Sequence, residues 1–418
     1  MSLYLGIDVG TQSTKALVFN VENSQVISKG QCSYNLDSNK NGGAEQHPSV
    51  WIDGVNKAVL EALKGSGNRS KIKGIGVSGQ QHGFVALDSK NDVIRPAKLW
   101  CDTETEREAE HLSNIVGKEI SVRFTASKIL WMKRKEPENF SRLDTVLLPH
   151  DYINFYLTGE KAMEAGDASG TGFFDIQKRT FDDDVINAID SELHSKIPSL
   201  VNQFEPIGKI RKDISDLFGI GQDVIVSPGS GDNMMSAIGS GAIEEGVFVI
   251  SLGTSGTVFC HSSKTIGESD ANIAAFCDAV GGWLPLFCLT ECTLKTEELV
   301  ARFNLSHDQL IQLATQENTK SPEGVIYKKT IEELTNQLYE GFQKICSRGP
   351  EPNEIRIVGG GAKNNLWSQM IANTFRSDVS VLSEFDTAAL GGAIQASLVD
   401  GYLNSHKGLL RKIVKPEN

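Results

Sequence analysis

The sequence predicts an α/β protein of two domains of like design, on three observations. An apolar run, a turn of glycine and small hydroxyl residues, and a second apolar run open the chain in YLGIDVGTQSTKALVFN, Tyr4 to Asn20. The same arrangement returns in VFVISLGTSGTVFC, Val247 to Cys260, as an internal repeat. Two further stretches, VIVSPGSGDNMMSAIGSGAI and IRIVGGGAKNNLWSQMIANTF, each read as a strand, a glycine-rich turn and a helix.

The elements follow in order. Leu3 to Asp8 and Ala16 to Asn20 are β-type runs joined by a hairpin-like turn, and Val26 to Gly30 with Cys32 to Tyr34 extend the meander. SVWIDGVNKAVLEALKG sets Val50, Ile52, Val55, Ala58, Val59 and Leu63 at helical spacing, with Ser49 as its cap. IKGIGVSG and FVALD return to strand pattern, and helical segments dominate between Asp102 and Leu200. Without a Pro/Ser-rich linker the boundary rests on the repeat, near Glu244 to Gly246, giving domains 1–245 and 246–418.

The chain has 418 residues, 39% hydrophobic and 22% charged, enough for more than one core. Its net charge of −12 leaves no general basic field for nucleic acid or anionic lipid, so an anionic ligand needs local donors or a metal ion. Seven scattered cysteines lack C-x-x-C spacing; the close pair Cys288 and Cys292 has no partner pair for zinc, and free thiols in a reducing cytosol are expected. No apolar run reaches membrane-helix length, and Met1 to Asp8 reads as a strand rather than a leader.

The turn after Asp8 presents backbone N–H groups and the side chains of Thr11, Gln12, Ser13 and Thr14, a concavity suited to an anion. It is no Walker loop, because G-x-x-x-x-G-K-[ST] is missing and a strand follows. One such turn is explained by a plain hairpin. Two, the second at Gly253 and Thr254, could face one polyphosphate across a cleft, which favours a nucleotide. Asp8 at the strand end would repel phosphate unless Mg²⁺ lay between. Lys15 either neutralises phosphate or is a solvated strand residue. Gly359, Gly360 and Gly361 allow close approach to a base or sugar, or form a tight turn. GIGVSG, Gly74 to Gly79, fits G-x-G-x-x-G but lies within a β-type run and precedes no helix, which excludes a dinucleotide fingerprint.

Asp232 begins a helix and is explained as a cap; beside phosphate turns it suits the carboxylate that takes a proton from an alcohol. Gln80, Gln81 and His82, between small residues at a strand end, offer neutral donors and acceptors to a polyhydroxylated ligand.

With these residues in place the chain resembles the FGGY carbohydrate kinases of the actin-like ATPase superfamily. The resemblance rests on GIDVGTQSTK, GVSGQQHGF, RPAKLWCDTET, LPHDYINFYLTGE, GDASGTGFFD, SPGSGDNMMSAIGSG, SLGTSGTVF, VGGGAKNNLWSQMIAN and TAALGGAIQAS, from Gly6 to Ser397. It implies two ribonuclease H-like domains with a central cleft, ATP and Mg²⁺ as cofactors, a cytoplasmic homodimer, and transfer to a sugar hydroxyl. By position, Asp232 becomes the catalytic base, Gln81, His82 and Asn233 join it at the sugar, and Asp8 lies at the metal. Thr11 to Thr14 with Gly253 and Thr254 become phosphate contacts, and Gly360, Gly361 and Asn365 lie at the adenosine. D-xylulose is the expected substrate; L-ribulose, gluconate or glycerol, or a non-catalytic sugar-responsive protein, are the alternatives. Gln81 stands where many members carry Met, and Gln-His argues against glycerol, where Arg-Glu is usual. The stretch between Arg302 and Ile331 lacks the family's Glu-Arg-Thr-Pro segment, and the approach to FTASKILW near Ser121 to Phe124 is abbreviated.

Overall fold

The computed structural model describes residues 2–267, 269, 273–316 and 321–402. It divides into two compact units. The first contains Met1–Gly239, Phe276–Gly281 and the described part of Ala388–Ile413; the second contains Ser240–Ala275 and Gly282–Thr387.

In the first unit, β1 (Leu3–Val9), β2 (Ser13–Asn20) and β3 (Gln25–Ser33) form an antiparallel meander. On the other side of β1, β4 (Ile72–Gly79) pairs in parallel, and β5 (Ile225–Val226) and β6 (Ser230–Gly231) pair in parallel with β4. Because β1 and β4 are interior strands covered on both faces, they read as apolar runs rather than as alternation. Leu3, Leu5, Ile7, Val9, Ile75 and Val77 are all fully buried. The meander's outer strand β3 instead alternates exposed with half-buried residues.

Helix α1 (Pro48–Gly65) buries Trp51, Val55, Ala58, Val59 and Ala62, the face expected from its spacing. Its cap is His47 rather than Ser49: Pro48 occupies the first helical position and the imidazole of His47 accepts from the Ser49 N–H. Three further helices of this unit concern the site: α2 (Thr125–Lys135), α3 (Pro149–Thr158) and α4 (Ala165–Ala168). A fourth, α5 (Asp232–Ser240), starts directly from β6.

The second unit repeats the pairing scheme. β7 (Val247–Leu252) and β8 (Gly256–Cys260) are antiparallel, β9 (Trp283–Leu289) extends β8, and β10 (Glu354–Val358) and β11 (Val379–Val381) add in parallel beside β7. The two turns differ in length. Residues 10–13 lie between the paired Val9 and Thr14, but only 253–255 lie between Leu252 and Gly256.

Helices α6 (Thr293–Phe303) and α7 (His307–Thr315) follow one another across residues 304–306. Asn304 closes α6 in the left-handed conformation at φ 53°, and Ser306 opens α7 with a capping box to Gln309. In α8 (Pro322–Cys346), Ile331, Leu334, Leu338 and Phe342 are buried on one face, as their spacing predicts. Helix α9 (Asn365–Phe375) follows the three-glycine turn.

The last helix among the described residues, α10 (Thr387–Val399), crosses the sheet of the first unit at backbone contact distance. A Cβ added at Gly6 would lie 1.8 Å from the Ala389 carbonyl oxygen, and one at Gly76 2.0 Å from that of Gly392. Packing of this helix is therefore the physical reason for Gly76 of GIGVSG, while Gly79 is crowded by His150, 2.8 Å from an added Cβ; the whole stretch is strand.

Candidate active site

Strand register builds the first half of the site. Asp8 of β1 is level with Ser78 of β4, and Ser78 with Ser230 of β6; one step on, Val9, Gly79 and Gly231 are level. The three chains then leave the sheet together, as the 10–13 turn, as Gln80 to His82, and as Asp232 with Asn233. Parallel strands whose carboxyl ends sit side by side are what gathers these distant residues at one edge. Ser78 fixes the first of them, donating to Asp8 Oδ1 at 2.8 Å. Lys15 lies opposite Asp8 in the β1–β2 ladder.

The carbonyls of residues 10–13 are all engaged, three by groups of the surrounding fold and the fourth within the turn. Gly10 O accepts from the Tyr34 hydroxyl at 2.7 Å, Thr11 O from Gln46 Nε2 at 2.7 Å, Gln12 O from Tyr34 N at 2.9 Å and Ser13 O from Gly10 N at 3.0 Å. With the acceptors engaged, the outer edge of the turn is left to N–H groups, the arrangement that attracts an anion. The side chains divide. Gln12 is exposed and Ser13 half-buried, whereas Thr14 is buried and donates its hydroxyl to Tyr34, whose own proton goes to Gly10. Thr11 Oγ1 accepts from the Trp100 indole at 3.0 Å and donates to Gln80 Oε1 at 2.9 Å, so its hydroxyl ties the turn to the neighbouring strand end.

The amides can be oriented by chemistry alone. A carboxylate only accepts, so Asn233 must turn its NH₂ toward Asp232 Oδ1, 2.9 Å away. The same NH₂ lies 3.0 Å from Gln81 Oε1, which assigns Gln81 Nε2 as the donor end of that side chain. Gln80 Nε2 and Gln81 Nε2 are both buried and partnerless among the described residues. Buried donors of this kind ask for a ligand or a water.

His82 adopts the left-handed backbone region at φ 64°, a strained placement for a residue with a side chain. Its Nδ1 lies 2.9 Å from the Gly170 carbonyl, which can only accept. Burial first, and the charge of Lys128 second, push the imidazole down to about 3. The ring is therefore neutral with its proton on Nδ1, and Nε2 carries a lone pair able to accept from a hydroxyl.

Asp232 is half-buried at the start of α5, where its Oδ1 accepts from Asn233 N at 2.8 Å. Burial, then Asp8, then Asp167 push its carboxyl up to about 7. A carboxyl raised to the neutral range by burial and by neighbouring carboxylates suits a general base, and it marks a place where a cation relieves repulsion.

Behind it lies a group of ionisable residues that the sequence reading did not single out. His150 Nδ1 is 2.6 Å from Asp167 Oδ2 and Nε2 is 3.3 Å from Asp151 Oδ1; despite burial, these carboxylates raise the imidazole to about 9. Glu164 caps α4 through Gly166 N and Asp167 N and accepts from Ser230 Oγ at 2.7 Å, two residues before Asp232. The motifs LPHDYINFYLTGE and GDASGTGFFD held His150, Asp151 and Asp167 without a visible reason for their acids, and Glu164 lies between the two motifs. Another acidic group, Glu45, Asp102 and Glu104, has metal-like proximity but encloses Lys98 Nζ at 3.1, 3.0 and 2.7 Å.

In the second unit, Gly253 and Thr254 form the β7–β8 turn, with Gly253 N donating to Ser255 O at 3.1 Å. Their carbonyls are likewise engaged, accepting from Thr293 N and Cys292 N at the start of α6. The glycines of the other turn differ among themselves. A Cβ at Gly361 would strike Leu252 Cβ at 2.7 Å, while one at Gly360 would meet nothing within 4 Å. Packing thus explains Gly361 and leaves Gly360 facing open space. Asn365 is exposed at the first position of α9, whose cap is its neighbour Asn364, accepting from Trp367 N.

All seven cysteines are free, and no described helix is long and apolar enough to cross a membrane.

Known proteins agree with this architecture. Residues 3–239 match the model of the N-terminal domain of the FGGY family of carbohydrate kinases, and residues 308–399 that of its C-terminal domain. A xylulose kinase of Haemophilus influenzae is 38% identical, over 96% of this chain and 91% of its own, and one of Escherichia coli is 28% identical over 98% and 92%. A crystal structure described as a xyloylose kinase from Brucella ovis superposes with a TM-score of 0.88 at 26% identity, covering 99% of this chain and 93% of that one. The fold is that of the two-domain, actin-like sugar kinases, and the chain belongs to the FGGY family of carbohydrate kinases.

Proposed function

We propose that this carbohydrate kinase phosphorylates D-xylulose to D-xylulose 5-phosphate with ATP, using Asp232 as the base. One observation carries the site assignment: Asp8, the Gln80 to His82 stretch and Asp232 leave three adjacent, paired strands at one edge. The relatives named xylulose kinase support the choice of sugar.

Each residue then has a task. Gln81 Nε2 donates to a sugar oxygen, and His82 Nε2 accepts from a sugar hydroxyl. Asp232, steered by Asn233, takes the proton of the attacking hydroxyl, whose oxygen lone pair forms the new O–P bond as the bond from the terminal phosphorus of ATP to its bridging oxygen breaks and ADP leaves. The N–H edge of the turn at Thr11 to Thr14, with Gly253 and Thr254, receives phosphate oxygens, and Gly360, Gly361 and Asn365 receive the adenosine. Asp8, facing a second acid, fits a Mg²⁺ ion held through water. When bound, that ion would neutralise charge on the phosphates.

Free thiols throughout the chain support a cytoplasmic setting, and the family resemblance supports a homodimer, which sedimentation would test. The reaction is tested by a coupled assay of ADP release with D-xylulose, L-ribulose, gluconate and glycerol. We expect the highest kcat/KM for D-xylulose. A preference for any of the other three would replace the sugar, and no ADP with any of them would remove the enzymatic reading.

A further inference from the structure

Lys128 is fully buried in the first turn of α2, a place where the helix dipole disfavours a cation. Its ammonium lies 2.5 Å from the Arg123 carbonyl oxygen, 3.0 Å from that of Phe124 and 3.4 Å from that of Val122. Burial pushes the group down to about 7, while three carbonyls that can only accept favour the ammonium; in that form three donors meet three acceptors, all from the short turn that leads into the helix. A buried carbonyl without a donor is costly, so a turn folded this tightly needs a concentrated source of N–H groups, and one ammonium supplies them.

That turn touches the sugar residues. The Phe124 ring lies 5.2 Å from the His82 ring, and Thr125, the next residue, donates its hydroxyl to the His82 carbonyl at 3.2 Å. Arg123 lies 5.8 Å from the ring of Trp100, which itself holds Thr11 of the phosphate turn. His82 sits in a backbone region that a side chain enters only under constraint, and two of its restraints come from residues 124 and 125. Others are the Gly170 carbonyl and the Phe276 ring, whose centroid lies 5.7 Å from that of the imidazole.

We propose that Lys128 is a positioning residue for the sugar site: by gathering three carbonyls on one ammonium it fixes the turn that holds His82 in place. The inference rests on the reading of His82 as a sugar contact. It accounts for a buried cation that the phosphoryl transfer itself does not use.

The test compares steady-state kinetics of Lys128→Met, Lys128→Ala and His82→Ala in the full chain, with thermal melting to follow stability. We expect both lysine variants to raise the sugar KM about tenfold or more while kcat and the KM for ATP stay within about threefold. Propylammonium, which replaces the atoms removed in Lys128→Ala, should restore the sugar KM of that variant and do nothing for Lys128→Met, where the methionine fills the space. A loss of stability without a change in sugar KM would be a purely structural role and would overturn the proposal. If His82→Ala raises the sugar KM and Lys128→Met does not, the positioning claim alone fails; if His82→Ala has no effect, the sugar-contact reading fails with it. Should Lys128→Met not fold, Lys128→Ala purified in propylammonium and assayed after dilution gives the same readout. A risen sugar KM then supports the proposal and an unchanged one contradicts it.

Discussion

At the scale of single residues, neighbouring charges and burial decide what each group does. Asp232 is held up to about 7 by burial, with Asp8 and Asp167 adding to it. A base must be ionised to accept a proton, so kcat/KM for the sugar should rise with pH through about 7 and level off above it. Asp8→Asn removes a negative neighbour, lets Asp232 ionise more readily, and should move that midpoint to lower pH in the residual activity. A midpoint unmoved by the substitution would separate the two carboxylates. The residue roles were unequally legible in the sequence. Asp8, Gln81, His82 and Asp232 stood out because glycines and small residues flank them. Lys128, His150, Asp167 and Glu164 did not, because their partners lie in remote loops or are backbone carbonyls, which leave no trace in residue type. Thr14 was legible as a turn residue, but its inward hydroxyl was not, since that depends on where Tyr34 lands.

At the scale of elements, the strand–turn–strand pattern was readable from apolar runs and its repetition from composition. The unequal turn lengths were not, because GTQST and GTSGT are alike in glycine and small hydroxyl content and only the pairing register separates them. The cap of α1 shifted to His47 because a proline at the first helical position outweighs a serine one place later. Glycines are where elements meet closely, and their roles can be told apart by substitution. Gly6→Ala drives a Cβ into the backbone of α10 and should cost about 3 kcal/mol or more in denaturant unfolding, at the upper end for overpacking. Gly360→Ala meets nothing, should leave stability within about 0.5 kcal/mol, and should raise the KM for ATP without changing that for the sugar. A stability loss at Gly360, or none at Gly6, would contradict these assignments.

At the scale of the whole molecule, the chain is two copies of one pairing scheme with different attachments. The copies were visible as paired motifs, yet the division of the chain was less so. The first unit closes with α10, more than a hundred residues beyond the end of its main segment, and no linker composition announces that return. Close backbone crossings at Gly6, Gly76 and Gly391 hold it there, a cause that lies in geometry rather than in hydropathy. The central claim is that one carboxylate, brought by β6 to the edge shared with β1 and β4, performs the proton transfer. The most direct measurement is the turnover of Asp232→Asn beside its affinity for D-xylulose by calorimetry. We expect kcat to fall by about a thousandfold or more, in the range for loss of a general base, while the sugar still binds. Near-normal turnover with binding intact would contradict the assignment.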